Sequence, residues 1–420
     1  MTSTTLSTDT AEAPTIALDP VADARERRAR LLMLVTLSLA MFFVSANSGA
    51  ISPFLLAMAD DLGTSLAAIA NLAAYASLTW AAGSLCAGTA SDLLGRRPLI
   101  LFGLAVIGAS SIGVAVAQSY GMLVFWRMVS GIGGGAYMGS VFAAVADRFP
   151  AEERGRSLGW LATGQSLSLV IGVPILTMVG SVGGWRGASW AYGLAVIVAT
   201  IGAWAIVPAS KAQSRGTASP FSGLRRALTP RTGLLIASGV AERLCFAGIS
   251  LFFPTYLLTT YDIELSALAL ALVPIAAGNF VGNIFGGRLA DRFAARDLAY
   301  SLALAATGLL ALPVLMWTPG LLVSVGLGFA YNLLNAIGRP VLLTALSGIS
   351  QEARGALLGL NITAGSMGWL LASAIGGPLI INVGFGGLGQ FTAAVSALGA
   401  TLALTSWLLG RRRERVTSNE

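Results

Sequence analysis

Four ionisable residues, Arg127, Glu242, Arg243 and Arg339, stand inside long apolar runs. A charge held at the middle of a lipid layer costs about 2.5–3.5 kcal/mol on insertion scales, so such residues are seldom idle. Glu242 is the only carboxylate deep within a run, because Asp147 and Asp291 fall near the ends of theirs. Burial disfavours the charged form of a carboxylate. Glu242 could therefore carry a proton through a working cycle, or contact a cationic solute. The plainer reading is a structural ion pair with Arg339 or Arg127. Arg243 follows directly, but adjacent helical residues point about 100° apart, so the two are expected to flank different surfaces. Arg127 could snorkel to a membrane interface instead of serving a site.

Amides recur at helical spacing: Asn279 with Asn283, and Asn332 with Asn335, while Asn71 pairs in the same way with Tyr75. Spacings of three and four put each pair on one face. Such groups either bond between helices or line a cavity. Asn47 and Gln165 are weaker candidates of the same kind. Phe246, Phe252 and Tyr256 could touch a lipophilic solute, although packing against lipid is the commoner fate of such rings.

Several chemistries are excluded by what is missing. There is no histidine, so any proton relay must use carboxylates. Cys86 and Cys245 lack metal-ligand spacing and read as packing residues. The single lysine, Lys211, lies in no Gly-Lys-Ser/Thr loop, which argues against nucleotide hydrolysis. The run Gly131-Ile-Gly133-Gly134-Gly135 sits in an apolar segment with no strand before it, and close helix packing suits it better than phosphate. No nucleophile–base pair has catalytic spacing. Neither cofactor nor metal is expected, and the chain is not read as an enzyme. A sensor would carry a soluble signalling domain, for which both tails look too short.

The elements that must position these residues follow from composition. Of 420 residues, 55% are hydrophobic and 11% charged, with mean hydropathy +0.77. A soluble domain carries about a quarter charged residues. Lipid must cover much of this chain. Glycine, at 51 residues, suits helices that pack closely in a bilayer.

Apolar segments long enough to cross a hydrocarbon layer, about 20 residues each, fall near 31–56, 66–90, 98–117, 121–146, 157–179 and 187–207. A second set falls near 232–258, 265–288, 298–317, 321–346, 356–380 and 388–409. The expected fold is all-α, with twelve transmembrane helices in two pseudo-symmetric six-helix bundles around a central cavity. The expected divisions are a disordered tail over 1–28, bundles over 29–208 and 232–409, a central loop over 209–231 and a second tail over 410–420. Residues 1–28 do not read as a signal peptide, because the first apolar run comes late and lacks a cleavage site. Of the 26 Lys and Arg, 22 fall on the face shared by both tails and only Arg186 on the other. The positive-inside rule puts both termini in the cytoplasm. The basic residues form no single patch, so nucleic acid is not an expected partner.

The halves repeat with an offset of about 200 residues. Gly88-Thr-Ala-Ser-Asp92 corresponds to Gly287-Arg-Leu-Ala-Asp291, and Glu152, Arg154 and Gly155 correspond to Glu352, Arg354 and Gly355. The segment Gly88-Thr-Ala-Ser-Asp92-Leu-Leu-Gly95-Arg96-Arg97-Pro98 resembles the signature loop of the major facilitator superfamily. Arg127 followed by Gly131, Gly133, Gly134 and Gly135 is similar to that family's second motif, and Trp185-Arg186 also fits. The second copy carries Ala294 and Ala295 where Gly95 and Arg96 stand, and Val173 separates Gly172 from Pro174 where exporters join Gly to Pro. The resemblance implies alternating access driven by protons in the cell inner membrane, for a small solute carried by a monomer. Export of a drug or metabolite is the expected direction, with proton-coupled uptake of a small organic solute as the alternative. It also implies a conformational latch of Gly88, Asp92, Gly95, Arg96, Arg97 and Asp291, which grips the other half in one state and releases it in another; the plainer reading is a helix-end turn with basic anchors at the lipid headgroups. Arg127 would then join in proton transfer or keep the cavity polar.

Overall fold

The structure, a computed structural model, describes residues 20–209, 229–293, 295–349 and 354–417. Those residues are helical with short connections. In chain order the helices are α1 (Pro20–Gly49), a short α2 (Leu55–Asp61), α3 (Leu66–Leu94), α4 (Arg96–Ala115), α5 (Tyr120–Arg148) and α6 (Ala151–Leu167). Next come α7 (Val173–Ile206), α8 (Pro230–Tyr261), α9 (Leu265–Arg292), α10 (Arg296–Met316), α11 (Leu321–Ser347) and α12 (Arg354–Thr417). Helix α1 starts at Pro20, so residues 20–28, expected in a disordered tail, are helical instead. The charged Arg25–Arg30 stretch forms the helix's water-facing first turns, and Glu26 bonds Arg30 and Arg148. Most of the expected central loop, 210–228, and residues 1–19 lie outside the described residues.

Ten helical stretches among the described residues are long and apolar enough to cross a membrane. Two of them, of 54 and 53 residues, each contain one residue off the helical path: Gly184 (φ 63°) and Gly384 (φ 79°). Only glycine adopts that backbone freely. The chain doubles back at both points. A methyl built on Gly180 would lie 3.6 Å from Ala188 Cβ, and one on Gly387 would lie 3.8 Å from Leu379 Cδ1. Eight residues of straight helix span about 12 Å, which would forbid both approaches.

Glycine also sets the helix spacing. On α5, Gly131 faces the Ala76 carbonyl and Thr79, and Gly135 faces the Trp80 carbonyl, so α5 lies almost backbone to backbone on α3. On α9, Gly278, Gly282 and Gly286 recur every fourth residue and face the carbonyls of Phe329, Leu333 and Ile337 on α11. A side chain at any of these positions would push the helices apart.

The buried apolar residues form three main clusters. Near the end carrying the first residues of α1 and α8 there are two. One draws only on residues 33–207, among them Leu37, Ile107, Tyr137 and Val196. The other draws only on residues 235–403, among them Leu235, Tyr300 and Leu346. At the opposite end a single cluster draws on both halves, joining Phe54, Leu55, Met58, Ile69 and Leu72 to Phe252, Phe253, Tyr256, Leu272 and Ile380. Gly377 of α12 meets the backbone of Ala67 of α3 at this far end. The halves are therefore welded at the far end and hold separate cores at the near end.

Candidate functional site

Glu242 lies at mid-length of α8, 1% exposed. Its carboxylate takes two guanidiniums at once: Arg339 Nη2 of α11 at 3.2 Å from Oε1, and Arg243 Nε at 3.4 Å from Oε2. The expectation that Arg243 would face a different surface is corrected here. The Cα directions diverge, but three methylenes let the guanidinium bend back onto its neighbour. The plainer reading of Glu242 named the right partner in Arg339 and the wrong one in Arg127, which belongs to the other half. Beneath the Arg339 guanidinium, 4.5 Å away, lies the ring of Phe246. Phe246 in turn meets Trp369 edge to face at 6.1 Å. On α12, Gly365 and Gly368 leave room for the Arg243 stem. The position is built by backbone proximity as much as by charge.

The face of α11 that holds Arg339 also carries Asn332 and Asn335 at the i, i+3, i+7 spacing. Asn332 Nδ2 donates to the Gly328 carbonyl within its own helix, at 2.9 Å. Asn335 is buried, and neither atom of its amide has a partner among the described residues. On α9, Asn283 Nδ2 donates to the Asn279 carbonyl and side-chain oxygen, while Asn279 Nδ2 has no such partner. These four amides make no bond between helices among the described residues. Asn71 Oδ1 is likewise buried and unpartnered, and Gln165 is exposed. Phe246, Phe252 and Tyr256 are all buried, so the lipid-facing fate expected of them is corrected. The far-end core claims the latter two, and only Phe246 touches the charged cluster.

Arg127 occupies a second polar site in the other half. At 4% exposed, it does not snorkel to an interface. Its Nη1 donates to Asn47 Oδ1 at 3.1 Å and to the Asn47 carbonyl at 3.4 Å, while Nε has no partner. Asn47 Nδ2 donates to Ser130 Oγ at 2.6 Å, which fixes the amide's orientation. Arg127 and Asn47 line a cavity of about 30 Å³ with Ser111, Trp185, Ser189 and Tyr192, room for about two waters. Tyr192 OH donates to the Phe43 carbonyl at 2.7 Å, tying α7 to α1 beside it.

The residues expected to form a latch lie at the near end. Gly95 has φ 91° and ψ 162°, a conformation open to glycine, and it turns α3 directly into α4. Its counterpart in the repeat, Ala294, lies outside the described residues, and Ala295, at φ −83°, stands where Arg96 does. Arg96 bonds Ser91 and pairs with Asp147 of α5 at 3.3 Å. Arg97 Nη2 donates to the Trp204 carbonyl of α7 at 2.6 Å. Both arginines are thus bonded within the first half. Gly88 and Asp92 belong to α3, but their side-chain placement lies outside what is described, and Asp291 is exposed at the last turn of α9. Sequence reasoning missed Asp147 as a partner for Arg96. It also missed Asp297, 3% exposed, which Arg231 and Ser406 hold at the start of α10. Both acids sit at helix ends, where composition alone flags nothing.

Comparison with known proteins adds an independent finding. A sequence model of the family described as the Major Facilitator Superfamily matches residues 37–338. An uncharacterized MFS-type transporter of Bacillus subtilis, YwfA, is 26% identical over 385 residues, 90% of this chain and 92% of that one. The chloramphenicol resistance protein of Streptomyces lividans is 30% identical over 330 residues, 77% of this chain and 81% of that protein. The crystal structure of a bacterial homolog of the human lysosomal transporter Spinster, inward-facing and occupied, superposes with a TM-score of 0.76. It shares 15% identity over 92% of this chain and 97% of that one, a likeness of fold alone.

Proposed function

The chain belongs to the major facilitator superfamily, and from that premise we propose a proton-coupled exporter of a small organic solute that works by alternating access. The observation that carries the reading is the uneven division of the core. One apolar cluster spans both halves at the far end, and two separate clusters stand at the near end. Halves joined at one end and separate at the other can rock about the joined end, exposing a central path to one compartment at a time. If each doubled-back stretch is counted as two crossings, the ten stretches become twelve, in two sets of six. The basic residues gather at the near end, which supports a cytoplasmic near end and cytoplasmic termini by the positive-inside rule. The separate cores then face the cytoplasm of a bacterial inner-membrane protein acting as a monomer.

Glu242 is the coupling residue in this reading. Its carboxylate holds Arg243 and Arg339, and a proton on it removes the charge that holds them. Asn279, Asn283, Asn332, Asn335 and Arg127 supply polar surface to the path. Gly88, Asp92, Gly95, Arg96, Arg97 and Asp291 form the near-end latch. Export as the direction is supported by a relative named for drug resistance.

Spin labels at Leu94 and Phe293, exposed at the near ends of α3 and α9, test the cycle. Two distance populations are expected, with a ratio that shifts with pH in the native protein and not in Glu242→Gln. A single distance that ignores pH would reject rocking linked to Glu242. Direction is tested in cells lacking the gene: an exporter predicts that its solute accumulates inside, and depletion would reverse the assignment.

A further inference from the structure

Among the described residues the charges within the spans do not balance. Arg243 and Arg339 share one carboxylate, Glu242, while Arg127 in the other half bonds the neutral Asn47. Asp297, the other strongly buried acid, is engaged near the end of its helix by Arg231. A guanidinium presents five N–H donors. Arg243 and Arg339 each direct one to Glu242, and among the described residues neither has another acceptor. Arg339 Nε is buried and unpartnered. One turn away on the same face, Asn335 offers a buried amide with both atoms free. The side chains of Arg243 and Arg339 remain 23% and 15% exposed. Charged side chains within spans face the bundle interior or a water-filled cavity almost without exception, and that rule assigns the exposure of these two to the inside of the bundle.

We propose that this cluster is the binding site for the charged head of an organic anion, a carboxylate or a phosphate, whose apolar body lies along the partly exposed Trp369. This rests on the transporter reading and names its substrate class. Planar bidentate oxyanions match the guanidinium fork better than any cation or neutral group does. A cationic solute would meet net positive charge in both halves. Glu242 acts as an internal competitor of the same charge type as the ligand: while ionised it occupies the donors that the solute needs, so a proton on Glu242 and the anion load together, a coupling that fits the uptake alternative rather than export.

The test uses three probes of one skeleton on the purified full chain in detergent: 2-naphthoate, 2-naphthamide and 2-naphthylmethylammonium. Binding is read by isothermal titration and thermal stabilisation. Naphthoate is expected to bind at least about tenfold more tightly than the other two, as a charge-assisted bidentate contact implies. Arg243→Gln and Arg339→Gln should abolish the preference. Glu242→Gln should tighten naphthoate binding, a change opposite in sign to anything a damaged fold would give. Stronger binding of the ammonium, equal binding of all three, no binding of any, or weaker naphthoate binding in Glu242→Gln would each overturn the proposal. Flux through proteoliposomes separates the two readings. Naphthoate binding without flux leaves the anion site standing and removes the transporter. Ammonium flux without naphthoate binding does the reverse.

Discussion

Arg127, buried, and Arg339, half-buried, are both arginines with an unpartnered Nε, on helices that glycine contacts bring against α3 and α9 respectively. Their surroundings differ. Arg127 sits in the far third of α5, beside the welded end, bonded to the neutral amide of Asn47 over a cavity with room for about two waters. Arg339 sits toward the near end of α11, bonded to a carboxylate that a second arginine also claims. The scaffolds correspond: the far-end turns fall at Gly184 and Gly384, and glycines bring α3 against α5 as they bring α9 against α11. The two halves share these turns and glycine contacts, while the polar groups inside them differ. Substitutions in the frame should therefore act alike in both halves, and substitutions among the buried charges should not.

The largest effect is expected from Arg339→Leu. It leaves Glu242, 1% exposed, with one guanidinium in place of two, and removing a partner from a buried pair costs about 3–5 kcal/mol. Thermal inactivation of the detergent-solubilised protein measures it; a loss below about 1 kcal/mol would show that Arg243 suffices as partner. Next come Gly135→Val and Gly282→Val. Each drives a side chain into backbone of the facing helix, at about 1–3 kcal/mol, and the two losses should match. A large difference between them would break the idea of a common frame.

The repeat puts Ala294 where Gly95 stands, so the near-end turn differs in sequence between the halves. Gly95→Ala places a Cβ at φ 91° and should cost about 1–3 kcal/mol by the same thermal assay. A loss below about 0.5 kcal/mol would show that the turn tolerates a side chain. The smallest effect is expected from Arg127→Leu, which orphans no opposite charge. Relief from burying a cation offsets the unpaired Asn47 amide, leaving a net change within about 1 kcal/mol. A loss as large as that of Arg339→Leu would erase the distinction between the two sites.

Much of the frame was legible because lipid enforces it. Every apolar run of sufficient length had to become a helix, since no other local structure satisfies the backbone in hydrocarbon. The glycine run of α5 was readable as a packing surface for the same reason. The pairings at the site were less legible. Glu242 stood out by its cost, but the bend that brings Arg243 onto it depends on room that Gly365 and Gly368 of α12 leave, far away in sequence. Asn47 looked minor because an amide in an apolar run carries no sign of its partner, and Arg127 lies 80 residues away. Asp147 and Asp297 were passed over because an acid at a helix end is ordinary until its neighbour is known.

In the proposed orientation, the one-residue reversals at Gly184 and Gly384 carry a consequence for anything that approaches from outside the cell. With the brief links at 116–119, 262–264 and 317–320, they leave the far face almost bare of hydrophilic chain. An antibody, toxin or extracellular protease would find little to grip there, apart from the short α2 segment. Each helical hairpin joined so tightly must also tip as a single lever.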